Sequence, residues 1–121
     1  MVAAAYTVTG DEGQGEVSIS KFPGDVGGIV ANVNRWRSQL ALPEWGATEA
    51  RQSVEMLEID GNKESYMVDL NGTNPRTGRK ARMLSVGVPR GGETWFYKFL
   101  GDEALVGKEK DAFLKFVVSA Y

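Results

Sequence analysis

The sequence of 121 residues has 14 lysines and arginines against 16 aspartates and glutamates, and it contains neither cysteine nor histidine. This composition excludes thiol nucleophiles, disulfides, Cys/His zinc sites and histidine-based acid–base catalysis. A net charge of −2 argues against a general nucleic-acid-binding protein, which usually carries a strongly basic face. The hydrophobic fraction of 42% is typical of a single globular domain spanning residues 1–121.

The hydropathy pattern contains no segment that would cross a membrane as a helix, since no run approaches the required length of about 18 apolar residues. The opening segment, Met1 to Val8, is too short and uncharged to be a signal peptide. Because a predicted strand begins almost at once, we expect an export or lipidation signal to precede this chain in the natural protein. The absence of cysteine fits either a reducing or an oxidising compartment, so a cytoplasmic location stays an alternative.

Two strands open the chain, at Val2 to Thr9 and Glu16 to Phe22, where apolar and polar residues alternate. The glycine-rich segment Gly10 to Gly15 between them is predicted to be a flexible hairpin loop. Glycine-rich loops hold phosphate groups in a strand–loop–helix context, and this loop joins two strands. The sequence therefore favours a hairpin over a phosphate site.

The first helix is predicted to follow Pro23-Gly24, with Asp25 as the N-cap residue. The pair Gly27-Gly28 lowers helix propensity in the first turn, which indicates close packing of the helix start or an anion bound to its amides. An apolar stripe at helical spacing faces the core. Its members are Val26, Ile29, Val30, Val33, Trp36 and Leu40.

The opposite face of this helix lacks lysine and glutamate and carries side chains with directional hydrogen-bonding groups. These candidate binding residues are Asn32, Asn34, Arg35, Arg37 and Gln39. They could bond to loop backbones within the domain, dock another protein, or hold a small anionic or sugar ligand. We expect at least two of them to bond to loop backbone or to carboxylates. The candidate acidic partners are Glu44, Asp60 and Asp69.

The helix should end at Leu42-Pro43, and a loop from Glu44 to Ser53 should contain one helical turn at Thr48 to Gln52. Trp45 in this loop either covers the end of the core or is an exposed binding residue.

Four strands and a second main helix complete the predicted order. The strands are Val54 to Ile59, Ser65 to Leu70, Arg79 to Val88 and Glu93 to Leu100, and the helix runs from Glu103 to about Ser119. The inner face of that helix is predicted to contain Leu105, Ala112, Phe113 and Phe116. The last strand places large residues on both faces, which is typical of a central strand.

The densest charge cluster lies at and beyond the loop that joins the second and third of these strands. Its members are Arg76, Arg79, Lys80 and Arg82. Charges at a hairpin tip normally provide solubility and prevent edge pairing. The alternative is an anionic partner, such as a phospholipid surface or a polyanion.

No arrangement of carboxylates predicts catalysis, a metal ion or another cofactor. The segment Asp60-Gly61-Asn62-Lys63-Glu64 places a lysine among the ligands that a calcium loop would need, and it lacks the distal glutamate. The other candidate acids are Glu55, Glu58, Asp69 and Asp25, whose spacing matches no known loop. We therefore predict neither catalytic nor metal-binding residues.

The order ββα-ββββ-α predicts the α+β class, with a mostly antiparallel sheet of about six strands and two main helices. An apolar surface on both faces of the sheet favours an α/β/α sandwich, and both helices on one face is the alternative. We expect six aromatic residues to be buried and to touch one another through the sheet. They are Trp36, Trp95, Phe96, Phe99, Phe113 and Phe116.

Residues 22–39 contain the motifs Phe-Pro-Gly-Asp, Gly-Gly and Asn-Val-Asn-Arg-Trp-Arg-x-Gln, and residues 90–98 read Arg-Gly-Gly-x-x-Trp-Phe-x-Lys. With the closing Phe-rich helix, they resemble a family of exported bacterial proteins of unknown function, typically lipoproteins of planctomycete-like organisms. The resemblance implies a PsbP-like fold and an extracytoplasmic, periplasmic or membrane-anchored location. It brings no catalytic residues. Family members usually have a signal and an aromatic, proline-containing segment before the first strand, which this sequence lacks.

The residues and the resemblance together predict a non-enzymatic accessory or binding domain. Its partner would be another protein, such as a subunit of a membrane complex, and no specific nucleic acid is expected. The alternative is a small hydrolase-like or ligand-binding enzyme with a carboxylate/arginine cleft beside the first helix.

Overall fold

The computed structural model describes residues 2–24 and 27–121, and it contains six strands and three helices. The predicted N-cap, Asp25, and Val26 of the predicted apolar stripe lie outside the described residues. The strands are β1 (Val2–Gly10), β2 (Gly13–Pro23), β3 (Glu55–Ile59), β4 (Asn62–Thr73), β5 (Lys80–Arg90) and β6 (Glu93–Asp102). The helices are α1 (Gly28–Gln39), α2 (Ala47–Gln52) and α3 (Glu103–Ser119).

The six strands form one antiparallel sheet in the order β1-β2-β6-β5-β4-β3. The α+β class, the element order and the two main helices agree with the prediction. The short helix α2 corresponds to the predicted single turn.

The two main helices lie on opposite faces of the sheet. Successive residues of β4 show this arrangement: Tyr66 and Val68 pack with α1 residues, whereas Met67 packs with α3 residues. Each face has its own hydrophobic core because side chains alternate along a strand. The α/β/α sandwich is therefore correct, and the arrangement with both helices on one face is wrong.

The separate cores correct the expectation that all six aromatic residues touch one another. Trp36 and Phe96 pack edge to face in the α1-side core, with their ring centroids 5.7 Å apart. Phe99 and Phe113 pack in the α3-side core at 5.6 Å. The sheet itself lies between the two pairs. Trp95 is only partly buried at the margin of the α3-side core.

The inward face of α3 differs from the prediction. The buried residues of this helix are Leu105, Val106, Phe113 and Val117, whereas Ala112 is exposed and Phe116 is 39% exposed. Positions 113 and 117 are one turn apart and share a face, which rotates Phe116 away from the core. The Phe116 ring instead meets the exposed Tyr6 ring of β1, with centroids 6.2 Å apart.

Two loops are shorter in the structure than the sequence predicted, because some of their glycines belong to the sheet. The segment predicted as a flexible loop closes in a turn at Asp11 and Glu12, since Gly10 pairs with Gly13. Strand β4 continues through Gly72, where a Cβ atom would lie 2.6 Å from the Leu40 carbonyl oxygen. Glycine lets the strand pass beneath the end of α1 at this point, and the Thr73 amide donates to that same carbonyl.

The two α3-side aromatic positions provide a matched test of this packing. Phe99→Ala should lower the free energy of unfolding by about 3–5 kcal/mol, because Phe99 is 1% exposed within the core. Phe116→Ala removes the same atoms from a much more exposed site and should cost about 1 kcal/mol. Denaturant unfolding measures both values, and equal costs would contradict the assigned face of α3.

Candidate functional site

The α1 side of the sheet is covered over β4, β5 and part of β6, and a groove of about 980 Å³ remains where β1 and β2 are not covered. We call this space the α1-side groove. Its floor consists of side chains on the α1 face of three strands, and its walls are the end of α1 and the β4–β5 loop. The floor residues are Thr7, Thr9, Glu16, Lys98 and Leu100, and the walls contain Gln39, residues 74–77 and Arg79.

Two paired glycines, Gly15 and Gly101, lie in the groove where β2 adjoins β6. A Cβ atom on Gly101 would lie 2.6 Å from both the Gln14 carbonyl oxygen and the Gly15 Cα atom. The missing side chains thus permit close approach of the two backbones. A Cβ atom on Gly15 would point to the opposite face, 2.9 Å from the Phe99 ring of the α3-side core, so these glycines contribute only backbone to the groove.

Lys98 is the unusual residue of the groove floor. It is half-buried on β6, and its Nζ donates to Gln39 Oε1 over 2.9 Å. Desolvation lowers the pKa of Lys98, with Glu16 opposing this shift and Arg35 adding to it. No carboxylate among the described residues forms an ion pair with Lys98.

Lys98 was not among the candidate binding residues. The available signal was a lone cation on a central strand, between Phe96 and Leu100 on the face that α1 partly covers. A lysine at an inward-facing position of a strand rarely lacks a partner.

The predicted basic group divides between the two faces. Arg76 and Arg79 line the groove, and Arg79 Nε lies 3.2 Å from Asp102 Oδ1. The other oxygen of Asp102 accepts from the Gln14 amide over 2.8 Å, so this carboxylate links the β4–β5 loop to the β1–β2 hairpin. Lys80 is exposed and is not part of the groove lining.

Arg82, the fourth member, lies on the α3 side, where it forms a two-pronged pair with Asp69. The Nε and one terminal nitrogen of Arg82 contact the two carboxylate oxygens at 2.8 and 2.5 Å. Lys110 of α3 donates to Asp69 Oδ2 over 3.2 Å. The hydrogen bond from Arg82 lowers the pKa of Asp69 despite partial burial. Lys110 thus ties α3 to the sheet.

The polar face of α1 makes the expected bonds to loop backbone. Asn34 donates to the Trp45 carbonyl over 3.0 Å and accepts from the Trp45 amide over 2.8 Å. Arg37 Nε donates to the Pro43 carbonyl over 2.7 Å, and its guanidinium group lies 3.6 Å from the centroid of the Trp45 ring. Trp45 is itself half-buried, as its interpretation as a cover of the core requires.

The remaining members of this face have different surroundings. Asn32 is buried and donates to the Tyr66 hydroxyl over 3.0 Å, and Gln39 holds Lys98. Arg35 is exposed beside the Trp36 and Phe96 rings. The acidic partners proposed for the arginines are wrong within the part of the chain that the structure describes. Asp60 pairs with Arg90, Asp69 pairs with Arg82 and Lys110, and Glu44 forms no ion pair there.

The described residues contain no group of three or more Asp or Glu side chains positioned to hold a metal ion. Among the same residues, no helix is both long and apolar enough to span a membrane.

No protein-family model matches the sequence, and no curated protein matches it either. Among solved structures, the chain is similar to a protein of unknown function from Pseudomonas aeruginosa that is described as a putative regulator. The two share 14% sequence identity and superimpose with a TM-score of 0.59 over 95% of this chain and 78% of the other. At this level of identity, the similarity concerns the fold alone.

Arg37 and Arg35 allow a test of the polar face of α1 with one matched substitution. Arg37→Lys should lower the free energy of unfolding by about 1–3 kcal/mol, because Arg37 is 6% exposed and lysine cannot reproduce both the bond and the stacking. Arg35→Lys, on the exposed side of the same helix, should change it by less than about 0.5 kcal/mol. Similar effects in denaturant unfolding would contradict the structural role of Arg37.

The Asp69 pair should make stability depend on pH in the acid range. The pKa of Asp69 is lowered in the folded state. The pair therefore stabilises the fold at pH values above the ordinary pKa of 3.8, and this stability is lost as the pH falls through the folded-state pKa. Asp69→Asn should cost about 1 kcal/mol near neutral pH. The difference from the unmodified protein should shrink when unfolding is measured below pH 3.8. The exposed Asp111→Asn variant is the control, and a pH-independent difference for Asp69→Asn would contradict the pairing.

Proposed function

We propose that this chain is a non-enzymatic accessory or binding domain that docks a partner protein in the α1-side groove. The observation that carries the proposal is Lys98, a half-buried cation at the floor of an open groove with one protein hydrogen bond among the described residues. A charge kept in such a position costs free energy of folding. A bound partner that supplies the missing acceptors accounts for that cost.

The distribution of the carboxylates also supports binding over the enzymatic alternative. Asp69 lies on the α3 side and is held by two cations, and Asp60 pairs with Arg90 at the surface. In the groove, Asp102 is occupied by Arg79 and the Gln14 amide. Asp60 and Asp69, two of the acids considered for acid–base catalysis, are thus paired with separate cations, and neither lines the α1-side groove.

The position of the groove suits a protein partner. Strand β1 is an edge of the sheet, and Thr7 and Thr9 on its α1 face belong to the groove lining. The backbone of an edge strand and the hydroxyl groups beside it provide hydrogen-bonding groups along an extended surface.

The proposed location is extracytoplasmic, with a PsbP-like fold and attachment to a membrane through a preceding segment. This part of the proposal rests on the resemblance of residues 22–39 and 90–98 to exported lipoproteins. Two residues of the basic cluster, Arg76 and Arg79, line the groove. We therefore propose that the anionic partner of this cluster is an acidic part of the docked protein.

Site-specific photo-crosslinking in the cells that make the natural protein tests both parts. A photoreactive residue at Thr9, in the groove, should give a crosslinked product of one defined mass that fractionates with the membrane or the periplasm. The same residue at the exposed Lys115 of α3 is the control and should not give that product. Identical patterns from the two positions would contradict docking in the groove, and a cytoplasmic product would contradict the proposed location.

A further inference from the structure

The ammonium group of Lys98 has three N–H donors, and the Gln39 side chain accepts from it in the described part of the chain. A single amide oxygen satisfies one donor and provides no negative charge. The partial burial that lowers the pKa of Lys98 also makes an incoming anion more strongly attracted than at the open surface. Lys98 is thus prepared to receive an anionic group from the groove.

The whole groove, by contrast, is close to electrically neutral. Its lining contains three cations and three anions, and Arg79 and Asp102 already pair with each other. Glu16 lies near enough to Lys98 to influence its protonation, yet it forms no ion pair with Lys98 or with another described residue. A polyanion or a phosphate dianion would meet these acids as well as Lys98. A ligand that carries both charges fits better.

The sheet register sets the distance between the two available charges. Lys98 pairs with Ser18 across β2 and β6, and Glu16 pairs with Leu100, so Lys98 and Glu16 are diagonal neighbours on the α1 face. Diagonal neighbours in an antiparallel pair are about 7–8 Å apart. In an extended peptide, side chains at positions i and i+2 point to the same side and are about 6.8 Å apart. The two spacings match closely.

We propose that the α1-side groove binds an extended peptide segment with an acidic and a basic side chain at positions i and i+2, the carboxylate on Lys98 and the cation on Glu16. This inference rests on the proposed docking function and names the chemistry of the docked segment. Thr7 and Thr9 lie beside Glu16 on the same face and offer hydroxyl groups to the peptide backbone.

A peptide array tests the charge spacing with the complete domain. The probes are decapeptides with blocked ends, a fixed Glu and a fixed Lys in either order, and mixtures of uncharged residues at all other positions. We expect the i,i+2 arrangement to bind at least tenfold more tightly than the i,i+1 arrangement, which puts the charges on opposite sides. Replacing the fixed Glu by Gln, or the fixed Lys by Gln, should also reduce affinity tenfold or more.

Protein variants connect the binding to the two residues. Lys98→Met should abolish the preference for Glu over Gln in the peptide, and Glu16→Gln should abolish the preference for Lys over Gln. Lys115→Gln, which removes an exposed cation from α3, should leave both preferences unchanged. Affinity should fall with added salt because the contacts are ionic. No spacing preference, or an equal loss in the Lys115 variant, would overturn the inference.

Thermal unfolding separates this role from a structural one. Lys98→Met removes a half-buried charge without a counter-ion and should raise Tm, whereas a lysine required for folding would lower it when replaced. A lowered Tm therefore counts against the inference.

The crosslinking experiment distinguishes a failure of this inference from a failure of the proposed function. A groove crosslink that survives Lys98→Met would retain docking and reject the charged peptide, and peptide binding without a cellular crosslink would reject docking by a protein partner.

Discussion

The structure depends on the alternation of side chains along β6, the strand that lies between β2 and β5. Its odd-numbered residues Trp95, Tyr97 and Phe99 belong to the α3 side, while Phe96 packs against Trp36 of α1. One strand thus supplies both hydrophobic cores. This arrangement requires a helix on each face, because a sheet apolar on both sides must be covered on both sides.

The groove follows from the unequal extent of that cover. Helix α3 packs across β2, β5 and β6, whereas α1 and α2 pack together over the β4 side of the opposite face. The part of the β1–β2 hairpin near its turn is therefore covered on one face and open on the other, whereas Phe22 at the far end of β2 packs in the α1-side core. Lys98 lies where the cover of α1 ends, and Gln39, the last residue of that helix, is its hydrogen-bond partner. The end of one helix consequently decides which part of the sheet is available for binding.

Much of the fold could be predicted from local sequence patterns. The alternating residues of β2 and β6 and the apolar stripe of α1 gave the correct elements, and turn signals such as Asp60-Gly61 separated the strands correctly. The face of α3 was harder to predict because Phe113, Phe116 and Val117 are all apolar, and only packing against the sheet selects two of them. The directional groups of Asn34 and Arg37 indicated fixed partners, but the partner was the backbone around Trp45, which has no sequence signature. Lys98 could not be identified from the sequence, because its position in a groove depends on how far α1 covers the sheet.

Gly15 and Gly101 give the groove a property that a conventional scan of its side chains would miss. Alanine scanning identifies functional positions by removing atoms, and these two positions have none to remove. Their contribution is the close approach of two backbones: a methyl group on Gly101 would lie 2.6 Å from the backbone of β2 and would force the two strands apart. The shape of this surface is thus defined partly by absent atoms. A mutational map of the groove is complete only when it also records what happens when atoms are added.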